Sequence, residues 1–211
     1  MWQGAAASSW TAQNVTFSET ASPGAWSAEV DLRVIALAVR AIGALNTALG
    51  NFFAWFSLGV VLVCFAVVTL RYVFSIGFIW MQDLYVWLNG MMFTGIAGYA
   101  LLKDQHVRVD IFYRPASERN KAWIDLLGVV FLLGPFIAVV LIWSWKFVGR
   151  AWQFHESSSN VGGLPGLYIL KSFIIVFAVL VGLQGLAMAL RSVLILAGRQ
   201  ELLPASLRME A

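Results

Sequence analysis

The chain has 211 residues, of which 60% are hydrophobic and only 12% are charged. A typical soluble domain carries roughly 25% charged residues, and the polar side chains here are too few to cover a water-exposed surface. The net charge of +3 comes from dispersed basic residues, with no run that would follow a phosphate backbone. These numbers exclude a soluble globular enzyme and a nucleic-acid partner, and they predict a protein of the lipid bilayer.

The first 47 residues divide into a tail and an amphipathic segment. Residues 1–24 are rich in Ala, Ser and Thr and predict a flexible tail. The first basic residue is Arg33, so the positively charged start of a signal peptide is missing. Over 25–47, apolar residues recur near helical spacing and charged residues lie off that stripe. This pattern is typical of an amphipathic helix in the membrane interface.

Four later stretches are apolar enough to cross the hydrocarbon core, which takes about 20 residues. They cover about 48–70, 81–102, 122–147 and 168–190. Trp and Tyr residues cluster near their ends, as in the aromatic belts of membrane proteins. The sequence therefore predicts an all-α membrane protein, with a four-helix transmembrane domain over 48–196 and a C-terminal tail over 197–211.

The basic residues predict how the spans are oriented. Ten of the fourteen Lys and Arg residues fall on the side that holds both termini and the loop between the second and third spans. The other four are Arg71, Lys146, Arg150 and Lys171. By the positive-inside rule, both termini lie in the cytoplasm, an N-in/C-in topology.

Two features of the spans bear on helix packing. Gly90, Thr94 and Gly98 recur every four residues in the second span and predict a stripe that lets another backbone come close. The stripe fits ordinary packing within the four-helix unit or the docking of a partner protein. Pro135 interrupts the third span and predicts a kink there.

The residues that catalysis or a cofactor would need are missing. Cys64 is the only cysteine, which excludes a disulfide, a redox pair and a thiolate metal site. His106 and His155 fall in loops on opposite sides of the membrane, so they cannot be paired haem ligands. No ionisable residue lies in the middle of a span, and polar residues there, such as Asn89 and Gln184, commonly bond across helices. We therefore expect no catalytic, cofactor or metal site and no enzymatic activity.

Two hydrophilic segments and one carboxylate stand out. After the second span, His106, Arg108 and Asp110 alternate with valines, which fits either a solvated loop or a fixed contact with another subunit. Between the third and fourth spans, Gly162-Gly163-Leu164-Pro165 predicts a tight turn before the last helix. Asp83 lies near the start of the second span, where a structural anchor at the interface is the expected role.

Several short motifs follow one another along the chain. They are Arg71-Tyr72-Val73-Phe74, Trp80-x-x-Asp83-Leu84, His106-Val107-Arg108-Val109-Asp110, Glu156-Ser157, Gly162-Gly163-Leu164-Pro165 and Lys171. With these motifs in this order, residues 48–195 resemble the small, Q-type (DctQ-like) membrane subunit of tripartite ATP-independent periplasmic (TRAP) transporters. One position departs from the resemblance, because Asp83 stands where a Glu is expected.

The resemblance implies a non-catalytic scaffold in the bacterial inner membrane. In such systems a large, many-spanning M-type subunit holds the substrate and sodium sites. A periplasmic P-type binding protein delivers the substrate, often a carboxylate or sugar acid, and a sodium gradient drives uptake. The small subunit packs beside the large one and helps to dock the binding protein.

Two groups of residues are candidates for these contacts. The docking edge that we expect on the periplasmic side comprises Arg150, Glu156, Ser157 and Lys171. The cytoplasmic scaffold contacts that we expect comprise His106, Arg108 and Asp110.

Other functions stay open on the residues alone. An autonomous four-helix channel or carrier would need more polarity at mid-membrane than the sequence offers. A membrane-embedded redox protein would need a cofactor ligand pair. An assembly factor for another membrane complex would need neither. The resemblance ranks the transporter subunit first.

Overall fold

The computed structural model describes residues 23–103 and 116–203, which are helical apart from turns and loops. Its four long helices are α1 (Pro23–Val73), α2 (Ile79–Leu102), α3 (Glu118–Gln153) and α4 (Leu167–Leu196). A short 3-10 turn follows at Gln200–Leu202, and no strand occurs in the described ranges. The predicted all-α architecture is confirmed for this part of the chain.

Three segments of the described chain are long and apolar enough to cross a membrane: Leu32–Val73, Glu118–Gln153 and Leu167–Leu196. Helix α2 has 24 residues, which gives a length of about 36 Å, but it is not among the three. Gln82, Asp83 and Asn89 lower its mean hydropathy. Three of the four predicted spans are therefore confirmed as candidates for crossing, and the fourth stays a prediction.

Helix α1 is a single helix of 51 residues. The segment over 25–47, expected to be a separate interfacial helix, is its first half, with no break before residue 48. Because no proline follows Pro23 within α1, nothing in the sequence forces the helix to end there. Its length of about 77 Å far exceeds a hydrocarbon core of about 30 Å. Either a large part of α1 therefore lies outside that core, or the helix is strongly tilted.

The first half of α1 packs against one end of the bundle, here named the tail end. Its core contains Ala36 and Val39 of α1, Ala122 of α3, Leu194 of α4 and Leu203 beyond the 3-10 turn. The side chain of Arg40 also donates to the carbonyl of Leu202 at 2.9 Å. Apolar packing and this hydrogen bond together fix the direction of α1 relative to the other helices.

Helix α4 is central, since it packs against α1, α2 and α3. Between α1 and α2, large side chains lie over glycines: Phe53 covers Gly95, and Tyr99 covers Gly50. A buried polar pair joins α1 to α4, where Asn46 Nδ2 donates to Gln184 Oε1 at 3.0 Å. Close backbone approach and one internal hydrogen bond therefore hold the centre of the bundle.

Helix α3 changes its winding beside Pro135. A π-helical stretch, Val129–Leu133, separates the α-helical parts Glu118–Gly128 and Gly134–Gln153. The N–H of Gly134 bonds to the carbonyl of Val129, five residues back. Proline has no N–H, and its ring conflicts with the carbonyl four residues before it. The predicted interruption is therefore a π bulge in the turn that precedes Pro135.

Candidate functional site

The loop over 154–166 joins α3 to α4 at the end of the bundle that also holds the α1–α2 turn, here named the loop end. The loop is folded by its own backbone. The N–H of Ser158 donates to the carbonyl of Leu164 at 3.1 Å, and the N–H of Gly163 donates to that of Asn160 at 2.9 Å. Gly162 between them has φ of 81°, a left-handed conformation that favours glycine. The predicted tight turn thus belongs to a larger closed loop.

Asp83 anchors this loop to α2. The residue is 8% exposed, and its Oδ1 accepts from Asn160 Nδ2 while Oδ2 accepts from the N–H of Leu164, both at 3.0 Å. The hydroxyl of Ser158 donates to the same carboxylate. A Cβ at Gly163 would overlap both Asp83 and Ser158, so the closed loop needs glycine at this position. One carboxylate therefore fixes three loop residues.

Glu156 and Lys171 form an ion pair at the base of the loop. Lys171 Nζ donates to both carboxylate oxygens of Glu156, at 2.6 and 2.5 Å. The same ammonium lies 4.3 Å from the centroid of the Phe147 ring, which adds a cation–π contact between α4 and α3. The carboxylate is the more exposed partner, at 39% against 18% for Lys171. The pair is therefore largely structural but presents Glu156 at the surface.

Contacts among aromatic side chains hold the end of α3 against the start of α4. Trp152 Nε1 donates to Ser172 Oγ at 2.8 Å, and its ring centroid lies 4.6 Å from that of Tyr168. The His155 ring meets Tyr168 edge-on at 5.8 Å. The loop is thus held at both of its ends as well as by Asp83.

The predicted docking edge is divided between two faces. Glu156 and Lys171 are in direct contact, and Ser157 is exposed next to them. Arg150 is exposed on the outward face of α3, away from the buried residues Val148 and Ala151. The predicted cytoplasmic contacts His106, Arg108 and Asp110 lie outside the described residues.

The predicted small-residue stripe contacts helices of this chain. Gly90 lies beside Leu170 of α4, and Gly98 lies against Asn46 of α1 and the backbone carbonyl of Leu180 in α4. Thr94 Oγ1 donates back to the carbonyl of Gly90 at 2.8 Å, inside α2 itself. The stripe therefore packs against other helices of the same bundle.

The sequence does not predict the hydrogen-bond partners of Asn46 and Asp83. The sequence predicts an interfacial segment around Asn46, whereas this residue is 1% exposed at the centre of the bundle and bonds to Gln184. The sequence predicts no role for Ser158 and Asn160. The only signal in the sequence for their proximity to Asp83 is that Asp83 is a lone carboxylate and that the loop with Ser158 and Asn160 is predicted on the same side of the membrane.

In the described ranges, no three His, Cys, Asp or Glu side chains cluster as metal ligands would.

Comparison with protein families identifies the family of this chain. The family model described as "Tripartite ATP-independent periplasmic transporters, DctQ component" matches residues 60–195, well over half of the 211-residue chain. The matched range contains Asp83, the α3–α4 loop and Lys171. No curated protein and no solved structure matches the chain. The chain belongs to the DctQ-component family of tripartite ATP-independent periplasmic transporters.

Proposed function

We propose that the chain is the non-catalytic scaffold subunit of a sodium-gradient-driven system that takes up carboxylate-type organic solutes. In this proposal it lies in the bacterial inner membrane beside a large, many-spanning M-type subunit that holds the substrate and ion sites. The observation that carries the proposal is the loop anchored by Asp83. Its polar groups bind one another and α2, so the loop is a preformed surface for a partner.

The interior of the bundle favours the function of a scaffold over that of an autonomous carrier. The buried amides of Asn46 and Gln184 bond to each other across α1 and α4. A cavity beside Gln184, lined also by Val39, Leu101 and Arg191, measures about 10 Å³. That volume holds about one water molecule, which is far too small for an organic anion.

The proposed topology has four spans, with α2 as the fourth and both termini in the cytoplasm. Helix α2 lies between α1 and α4 and begins at the loop end with Ile79. It ends at Leu102, directly before the basic residue Lys103. A helix of this length, packed along two candidate spans, would cross with them. The loop end then faces the periplasm, and the first half of α1 lies on the cytoplasmic side.

The proposed docking edge for the periplasmic binding protein comprises Glu156, Ser157 and Lys171, with Arg150 at its border. Glu156 and Ser157 are accessible, and the loop behind them is fixed by Asp83. A rigid surface loses less conformational entropy when a partner binds, which favours binding of the partner.

The test is a charge swap across the Glu156–Lys171 pair, read out as uptake that depends on the binding protein. Glu156→Lys and Lys171→Glu each break the pair and change the surface, so each is expected to lower uptake while the subunit still assembles in the membrane. The double swap restores an ion pair with reversed surface charge. If docking uses the exposed carboxylate of Glu156, uptake stays low in the double swap.

Each outcome of the swap has a separate meaning. Full recovery of uptake in the double swap would assign the pair a purely structural role. Unchanged uptake in the single variants would remove the docking edge from the proposal. Co-purification with the large subunit is measured in parallel, so a failure to assemble is not mistaken for a failure to dock.

A further inference from the structure

Two cations on the outward face of α3 take no part in the bonds that hold the α3–α4 loop. Lys146 and Arg150 are both exposed and lie four residues apart, one turn along the same face. Within the described ranges neither forms an ion pair or a side-chain hydrogen bond. Lys171, by contrast, is occupied by Glu156. Like charges at this spacing weaken an isolated helix, so an anion between them would relieve a built-in repulsion.

The position of the pair along α3 is that of the lipid headgroups. The 20 residues over 126–145 carry no charge, and Asp125 and Lys146 bound this stretch. At 1.5 Å per residue it is about 30 Å long, the thickness of the hydrocarbon core. Lys146 therefore lies at the boundary of the core, and Arg150 lies one turn further out.

The space around the two cations is open. They line a shallow, open recess together with Trp145, Gly149 and Gln153. A Cβ placed on Gly149 would meet nothing within 4 Å, so this glycine leaves room beside the charges. Trp145 is 69% exposed and flanks the recess with an amphipathic ring that favours the interface.

We propose that Lys146 and Arg150 bind the headgroup phosphate of an anionic phospholipid. A guanidinium can bind two phosphate oxygens at once, and the ammonium adds a second positive point charge. All five lining residues come from one helix, so the recess has no opposite wall to hold a soluble anion. A lipid needs no such wall, because its acyl chains keep it against the helix. Arg150 also borders the proposed docking edge, whereas Glu156, Ser157 and Lys171 take no part in this lipid site.

The test is native mass spectrometry of the full-length chain in detergent micelles, with dioleoyl phosphatidylglycerol or dioleoyl phosphatidylcholine added. Wild type is expected to retain phosphatidylglycerol more tightly than phosphatidylcholine. Lys146→Gln and Arg150→Gln should each raise the apparent Kd for phosphatidylglycerol about fivefold, and the double variant should raise it more than either single variant does. Binding of phosphatidylcholine should not change. Lys146→Arg and Arg150→Lys keep both charges and should largely retain the preference.

Arg71→Gln is the matched control, because it removes one exposed cation at the loop end from a helix position without a second cation one turn away. Its phosphatidylglycerol affinity should match that of wild type. Equal loss in Arg71→Gln, or no loss in the double variant, would overturn the site. Displacement of the lipid by millimolar inorganic phosphate would identify a free-anion site instead.

A protein partner is the remaining outcome. If the Lys146→Gln/Arg150→Gln variant binds phosphatidylglycerol as wild type does but loses binding-protein-dependent uptake, the two cations belong to a protein interface and the lipid proposal is wrong. Circular dichroism and a single symmetric peak in size-exclusion chromatography establish that each variant is folded before lipid is added.

Discussion

Asp83 of α2 accepts hydrogen bonds from three residues of the α3–α4 loop. A carboxylate offers about four acceptor positions, and here Ser158, Asn160 and the N–H of Leu164 use them. The side chain is nearly enclosed, so the bonds compete little with water. Removing the charge would leave the part-buried N–H of Leu164 without its acceptor, which costs about 1–3 kcal/mol.

The Asp83→Asn variant tests this anchor. The new amide can still accept from Asn160, but its NH₂ group faces the N–H of Leu164, and two donors repel. We expect a loss of about 1–3 kcal/mol in unfolding free energy in detergent and faster hydrogen exchange over 158–164. Ser157→Ala, an exposed change in the same loop, should leave both unchanged. Exchange as slow as in wild type would show that Asp83 does not hold the loop.

The sequence could identify Asp83 as an anchor but not what it anchors. Its position at the start of an apolar stretch indicates an interface role, and the glycines of the loop indicate a turn. The pairing itself joins residues 77 positions apart, Asp83 and Asn160. Such a contact depends on the conformation of an irregular loop, and hydrophobic periodicity carries no information about that.

At the scale of the helices, packing depends on glycines placed opposite large or polar side chains. Gly98 is the tightest of these sites, because an added Cβ would overlap Asn46 Oδ1 and approach the carbonyl of Leu180. Gly128, in α3, has nothing within 4 Å of such a Cβ. The two glycines therefore form a matched pair for substitution.

Gly98→Ala is expected to destabilise the bundle by about 1–3 kcal/mol, because the added Cβ overlaps Asn46 Oδ1 and the packing of α1 and α4 against α2 must shift. Gly128→Ala removes only backbone freedom from a helix and should stabilise by about 0.5–1 kcal/mol. Thermal unfolding in detergent measures both. Similar shifts in the two variants would contradict the close approach at Gly98.

The Asn46–Gln184 bond gives a second test at this scale. A double-mutant cycle with Asn46→Ala and Gln184→Ala isolates the pair from the separate losses of packing. Interhelical hydrogen bonds of this kind contribute about 0.6 kcal/mol on average and up to about 1.7 kcal/mol. We expect a coupling free energy in that range from chemical unfolding. Strictly additive single variants would mean that the two amides do not bond.

The helices also show which structural features the hydrophobic periodicity of the sequence predicts and which it does not. The apolar stretches and Pro135 are visible in the sequence, and the structure contains a helix at each stretch and a π bulge beside the proline. The continuity of α1 is not visible, because the change in composition near residue 48 does not coincide with a helix break. Periodicity predicts which face is buried, whereas the end of a helix needs a proline, a glycine cap or a turn.

At the scale of the whole molecule, the number of spans depends on whether α2 crosses. In a Cys64→Ser background, single cysteines at Ser75, Asn120 and Ser157 lie before α2, at the start of α3 and after α3. A membrane-impermeant maleimide applied to intact cells should label positions 75 and 157 and leave 120 unlabelled. If α2 does not cross, positions 75 and 120 share one side and label alike.

The most direct measurement for a transporter subunit is a tagged pull-down from native membranes in mild detergent, with mass spectrometry of the proteins that co-purify. We expect a large, many-spanning membrane protein in a stoichiometric complex with the 23.3 kDa chain. The loop variant Asp83→Asn should still recover it if α2 and α4 form the bundle without the loop. Recovery of the chain alone, stable and monodisperse, would contradict the scaffold function and favour a self-contained membrane protein.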